Sequence, residues 1–225
     1  MKIGFLSDSH GNLQGLMTCL DRLQEEGAKQ VYFLGDATGY LPSGLEVINE
    51  LNKRQIPCLM GNHEAMLTGL LPLPEDKDRV YRLGPLVEAM PAEMKEKITA
   101  TWPKKLELTI DNRKILLVHG RPSDPVSGYL YQDQPLEEAE KGAYTVIVTG
   151  HTHHPYVKNE GNVLLINDGS CGLPRDGQSQ ISCALYDTVS GQADILYISF
   201  DFKKLLDSFD KDEIAQEVTN KLLKG

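Results

Sequence analysis

The chain has no apolar run near the ~20 residues that a bilayer-spanning helix needs, and this excludes a transmembrane helix. Its four cysteines (Cys19, Cys58, Cys171 and Cys183) show no Cys-x-x-Cys spacing. That leaves no zinc knuckle and no disulfide scaffold, and the thiols are expected to be reduced and structural. Basic residues are in deficit, 23 Lys and Arg against 32 Asp and Glu, for a net charge of -9. Broad nucleic-acid binding needs a basic footprint and is not expected. Internal repeats and low-complexity linkers are absent. The opening MKIGFLSDSHGN lacks the long apolar stretch of a signal peptide, so a cytoplasmic location is the expectation, with no membrane partner.

What is present is an ordinary globular composition, 40% hydrophobic and 24% charged over 225 residues. It is read as one domain, residues 1–225. A local pattern recurs: a short apolar strand runs straight into a polar, often glycine-containing turn. Residues 3–6, 31–34, 56–60, 115–118, 146–148 and 163–166 are the apolar parts. Such continuous runs suit strands covered on both faces. Leu13, Leu16, Met17, Leu20 and Leu23 recur at helical spacing. Ser43 with Glu46 reads as a capping box before a second helix. The first third is therefore β-α-β-α-β, an α/β pattern. Residues 65–105, with Pro72, Pro74, Pro85, Pro91 and Pro103 among helix formers, read as a helical insertion or lid. Residues 181–186 and 193–200 read as a hairpin. Asp210 with Glu213 is expected to cap a last helix bearing Ile214, Val218 and Leu222 and ending at Gly225.

In open α/β sheets, ligands bind beyond the carboxyl ends of the strands. Here those ends carry Asp8, His10, Asp36, Asn62, His63, His119, His151 and His153. Each alone is an ordinary polar turn residue. Together they form an ordered set of metal-ligating and proton-transferring groups at successive strand ends.

This set, Asp8-Ser9-His10, Gly35-Asp36, Gly61-Asn62-His63-Glu64, His119-Gly120 and Gly150-His151-Thr152-His153, resembles the calcineurin-like metallophosphoesterase superfamily. Gly35-Asp36-Ala37-Thr38-Gly39-Tyr40, His119-Gly120-Arg121-Pro122 and the Gly169 to Gly177 stretch are similar to its bacterial YfcE-type branch. That branch includes diadenosine tetraphosphatase-like phosphodiesterases. Two positions depart from the branch: Asp168 stands where it usually has proline, and Arg121 where it usually has serine.

The resemblance implies a four-layer αββα sandwich with two mixed β-sheets. It implies one metal held by Asp8, His10, Asp36 and His153, and a second by Asp36, Asn62, His119 and His151, with Asp36 bridging. Two divalent or trivalent transition-metal ions would serve, manganese in the first place and iron or zinc as alternatives. The implied function is a dinuclear metal-dependent phosphoesterase. It would hydrolyse a phosphodiester or pyrophosphate-type small molecule, such as a dinucleoside polyphosphate or nucleotide diester, by attack of metal-bound hydroxide. His63 would protonate the leaving oxygen or stabilise the phosphoryl group. Arg121, Arg175 and Asn62 are the substrate-binding candidates. Tyr40, Tyr129 and Tyr131 either stack on a base or pack in the core. The rival functions are a phosphoprotein phosphatase and a non-catalytic scaffold on the same fold. His154 is expected to be structural, and Cys171 unreactive.

Overall fold

The computed structural model describes residues 1–177 and 179–224. Gly225, the expected end of the last helix, lies outside the described residues. β1 (Lys2–Leu6) leads into α1 (Leu13–Glu25), β2 (Gln30–Phe33), α2 (Gly44–Lys53) and the short α3 (Asn62–Leu67). Then come α4 (Glu75–Tyr81), α5 (Leu83–Ala89) and α6 (Ala92–Thr101). β3 (Lys105–Ile110), β4 (Arg113–Val118), α7 (Glu138–Lys141), β5 (Val146–Thr149), β6 (Tyr156–Glu160) and β7 (Val163–Asn167) follow. The chain closes with β8 (Gln180–Asp187), β9 (Gln192–Ser199), α8 (Phe202–Leu206), a 3-10 turn (Lys211–Glu213) and α9 (Gln216–Lys224). Among the described residues no helix is long and apolar enough to cross a membrane.

The strands form two mixed sheets, ordered β2-β1-β8-β9 and β3-β4-β5-β7-β6. β1 runs parallel to β2 and antiparallel to β8. β4, β5 and β7 are parallel, with β3 and β6 antiparallel at the two edges. Ile3, Phe5, Tyr32, Ile115, Leu117, Val146, Val148 and Tyr186 share one buried cluster between the sheets. The continuous apolar runs of β1, β4 and β5 are thus covered on both sides, whereas edge strands β3 and β9 alternate. The outer layers are unequal. α1, α2, α6, α8 and α9 pack on the first sheet. The outer face of the second is closed by Leu130 and Leu136 from the segment before the four-residue α7.

Local chemistry explains most boundaries. The Asn12 side chain accepts from Gly15 N at 2.8 Å and starts α1. The helical stretch before β3 is present as α4, α5 and α6, separated near its prolines.

Three expectations need correction. Residues 56–60 form no strand; they meet β2 only through a bridge between Phe33 and Cys58. Pro57 has no N–H to extend that ladder, and its carbonyl accepts from Phe33 N at 2.9 Å. Ser43 sits at the start of α2 but makes no side-chain capping bond. Asp210 N does donate to Glu213 Oε2 at 3.0 Å, yet this pair closes the 3-10 turn, and α9 starts three residues later.

Phe5, fully buried and 6.1 Å from the Tyr32 ring, lies in the cluster that joins the sheets. Phe5→Ala is expected to cost about 3–5 kcal/mol in urea denaturation. A loss below about 1 kcal/mol would mean that the sheets do not depend on this shared core.

Candidate metal centre

The strand ends bring Asp8, His10, Asp36, His63, His119, His151 and His153 together, all of them buried. Three donor groups result, each with ligand atoms within 4.8 Å of one another: Asp8, His10 and His153; His10, Asp36 and His63; Asp36, His119 and His151. Asp36 and His10 each belong to two of them. Asn62 adds its Oδ1, 3.3 Å from His119 Nε2.

The backbone fixes how the rings face. His10 Nδ1 donates to Thr38 O at 3.1 Å, His119 Nδ1 to Leu34 O at 2.9 Å and His151 Nε2 to Ser127 O at 3.1 Å. His153 Nδ1 donates to Leu173 O. Each outward nitrogen must carry a proton to make its bond, so in the neutral ring the inward nitrogen is a bare lone pair. These inward nitrogens meet in pairs: His10 Nε2 and His153 Nε2 are 3.1 Å apart, and so are His119 Nε2 and His151 Nδ1.

The carboxylates are turned in the same manner. One oxygen of each is held by a backbone N–H: Asp8 Oδ2 accepts from His151 N at 2.9 Å, and Asp36 Oδ1 from His63 N at 3.0 Å. The other oxygen faces inward. Asp8 Oδ1 is buried without a hydrogen-bond partner among the described residues. Asp36 Oδ2 lies 3.4 Å from His119 Nε2 and 3.7 Å from His10 Nε2.

Lone pairs facing lone pairs around two carboxylates require positive charge. Within the protein alone a proton supplies it. Burial disfavours a charged His119, but Asp36 and Asp8 outweigh this and push it up to about 10. At His153, His63 and His151 burial dominates and holds the first two down at about 3 and the third at about 4. Burial would raise Asp8 and Asp36 too, yet the facing imidazoles carry both well below the usual carboxylate range. The donor set, imidazole with carboxylate and amide oxygen, fits transition-metal ions, which would displace that proton on binding.

The backbone is strained to achieve this. Asp8, His10, Asp36, His151 and His153 all have positive φ, between 47° and 63°. Side chains rarely adopt that region, and such outliers gather at functional sites. Two glycines permit the close approaches. A Cβ on Gly61 would sit 2.1 Å from Asp36 Oδ1, and one on Gly150 2.3 Å from Ser7 Oγ.

His63 lies against this cluster, with ring centroids 4.6 Å from His10, 5.2 Å from Tyr40 and 4.8 Å from Tyr81 of α4. Its Nδ1 is buried and has no partner among the described residues. Arg175 is also brought in. It donates to Tyr40 OH at 2.9 Å and lies 5.7 Å over that ring, and its Nε has no partner among the described residues.

Arg121 commits its Nε and one terminal nitrogen to Glu140 at 2.8 and 2.6 Å, which leaves the rest of its fork for the expected grip on substrate. The opposing residue lies 19 positions downstream, beyond any local pattern. Cys171 is buried, and burial pushes its thiol well above its ordinary range, as expected of an unreactive cysteine.

Two buried acids escaped the sequence reading. Glu64 accepts from Asp36 N at 2.7 Å, Ala37 N at 2.8 Å and Gly61 N at 3.2 Å, and so fixes the turn that presents Asp36. Its place as the third residue of α3 was the available signal, since a glutamate there reaches back to free N–H groups. Asp168 Oδ1 lies 2.6 Å from Ser7 Oγ, which in turn lies 2.5 Å from Asp8 Oδ2. Burial pushes the Asp168 carboxyl well above its ordinary range, although the Ser7 hydroxyl that donates to it pulls the other way.

Fold and donor set together define an α/β protein with a buried cluster of groups able to hold metal ions. A family model described as calcineurin-like phosphoesterase superfamily domain matches residues 1–191, and the chain belongs to that family. The chain is 26% identical over 243 residues to the uncharacterised protein MJ0912 of Methanocaldococcus jannaschii, covering 99% of this chain and 98% of that one. It is 25% identical over 188 residues to phosphodiesterase YfcE of Escherichia coli, covering 79% and 83%. A solved metallophosphoesterase structure from Sphaerobacter thermophilus shares the fold with a TM-score of 0.82 at 22% identity, covering 100% of this chain and 98% of that one.

The Arg121–Glu140 pair yields a stability prediction. Arg121, with Ser123 and the Glu137 N–H, holds Glu140 at about 2 against the ordinary 4.5. A depressed folded value stabilises above the unfolded one and is lost as pH falls from about 5 towards 2. Glu140→Gln should therefore cost about 1–3 kcal/mol at pH 7 and much less near pH 2. An equal cost at both pH values, in denaturant titrations, would assign the effect to packing instead of charge.

Proposed function

We propose that this chain is a dinuclear metal-dependent phosphoesterase acting on a small phosphodiester or pyrophosphate-type substrate. The observation that carries the reading is the set of four imidazoles turned inward by backbone carbonyls around Asp8 and Asp36. Asp8, His10, Asp36 and His153 would hold one ion, and Asp36, Asn62, His119 and His151 the other. Manganese, iron and zinc all suit these donors. Bound there, such ions supply Lewis acidity and a nucleophile at neutral pH. The phosphodiesterase name of the Escherichia coli relative supports the diester class.

The chain's own residues would do the rest. Arg175, placed by Tyr40, offers donors to a phosphoryl oxygen at the edge of the cluster. Asn62 offers an amide beside His119. His63 is neutral in the free site because burial depresses it to about 3. An anionic phosphoryl group beside it favours the imidazolium, so substrate itself raises the His63 pKa and prepares it as proton donor to the leaving oxygen. Tyr81 ties this histidine to the α4–α6 segment, consistent with a cleft wall supplied by that segment.

Asp36→Asn tests the bridge. Metal content should fall in both sites. Turnover of bis(p-nitrophenyl) phosphate should drop by more than the roughly 10–100-fold that loss of an outer partner costs. Two full equivalents of metal with normal turnover would exclude bridging by Asp36.

His63→Ala tests the proton donor. The variant should keep its metals and lose roughly 10²–10⁴-fold in rate on a substrate with an alkoxide leaving group. The loss on a p-nitrophenolate ester should be far smaller, since that group leaves without a proton. Equal losses on both would assign His63 to stabilising the phosphoryl oxygens, and loss of metal would make it a ligand.

A further inference from the structure

Three of the six exposed large hydrophobic side chains among the described residues are tyrosines: Tyr129 at 45%, Tyr131 at 37% and Tyr197 at 43%. All three belong to one patch beside the metal centre. Tyr129 stacks on His151 with centroids 4.1 Å apart. Tyr131 stacks on Tyr129 at 5.7 Å with the rings only 5° from parallel. Beyond Tyr131 opens a surface pocket of about 500 Å³, lined also by Gln132, Asp133, His154, Tyr156 and Tyr197. His154 meets Tyr131 edge-on at 5.8 Å and adjoins the candidate ligand His153.

This volume falls within the range of small-molecule sites. The geometry points to a nucleobase subsite: Tyr131 and Tyr197 receive the base of a nucleotide diester whose phosphate sits at the metal centre. The inference rests on the phosphodiesterase reading and narrows it. Parallel, solvent-exposed tyrosine rings suit a flat aromatic group, and base–aromatic stacking tolerates any base. Among the described residues the pocket is lined by no lysine or arginine, and it includes the Asp133 carboxylate. A second phosphate finds no cation in that lining, and the neighbouring Lys158 ammonium is already engaged by Gln132 O, Gln134 O and Glu160, whereas an uncharged nucleoside needs none. Centroid steps of 4.1 and 5.7 Å lead from His151 through Tyr129 to Tyr131, so one run of rings joins the strand-end cluster to the pocket.

Two diesters with the same leaving group and charge test this: the p-nitrophenyl ester of thymidine 5′-phosphate and ethyl p-nitrophenyl phosphate. Manganese-loaded wild-type protein should show a KM roughly 5–100-fold lower for the thymidine ester. Tyr131→Ala should erase that difference by raising KM for the thymidine ester alone, with kcat little changed. Tyr131→Phe should keep it, and Tyr197→Ala should weaken it independently. No preference in the wild type, or an equal rise in KM for both esters, overturns the subsite. If neither ester is hydrolysed, the phosphodiesterase reading fails, but calorimetric titration still tests the pocket. AMP binding tighter than ribose 5-phosphate, with the gap closed by Tyr131→Ala, upholds it, and equal binding of the two ligands to wild type overturns it.

Discussion

Asp8 and Asp36 are buried side by side, and the structure around them answers the electrostatic cost of that placement. Carboxylates in a low-dielectric interior need positive charge close by. Among the described residues no lysine pairs with either carboxylate. The chain supplies imidazoles, whose charge is optional and whose lone pairs accept a metal as readily as a proton. The pinning carbonyls come from distant stretches: Thr38 and Leu34 for His10 and His119, Leu173 for His153, Ser127 for His151. Both sheets and the long segment before α7 are thereby committed to one point in space.

The same constraint accounts for the strained turns. A strand that ends in an ordinary turn carries its next side chain away from the sheet axis. A left-handed residue at the strand end swings it back over the edge, and five candidate ligands take that conformation. The inter-sheet core holds them there, because β1, β5 and the approach to Gly61 cannot relax without opening the buried contact between the sheets.

Much of this was legible in the sequence because it is local. An apolar run ending in Asp-Ser-His or Gly-Asp names both a strand and a candidate ligand after it, and the turns at Asp8, Asp36, Asn62, His119 and His151 come together where the two sheets meet. The hairpin of β8 and β9 was legible from alternation. What was not legible depended on partners far along the chain. Residues 56–60 look like a strand until Pro57 is seen to leave a ladder position without a donor. Glu64 and Asp168 look like turn residues until burial places them behind Asp36 and Asp8. The Arg121 clasp on Glu140, 19 positions away, had no local sign either.

That last contact reaches beyond its own stability. The segment from Gly120 to Glu137 has no regular element, yet it is tied at several points. Arg121 and Ser123 are clasped by Glu140, Ser127 O holds His151, and Leu130 O accepts from Tyr156 OH at 2.8 Å. Tyr129 and Tyr131 ride on this tethered stretch. Their rings lose conformational freedom when the chain folds, not when a ligand arrives, so the entropy of ordering an aromatic platform is already spent before any encounter. A loosened clasp would leave the chemistry at the strand ends intact and show itself as poorer retention of whatever rests on those rings.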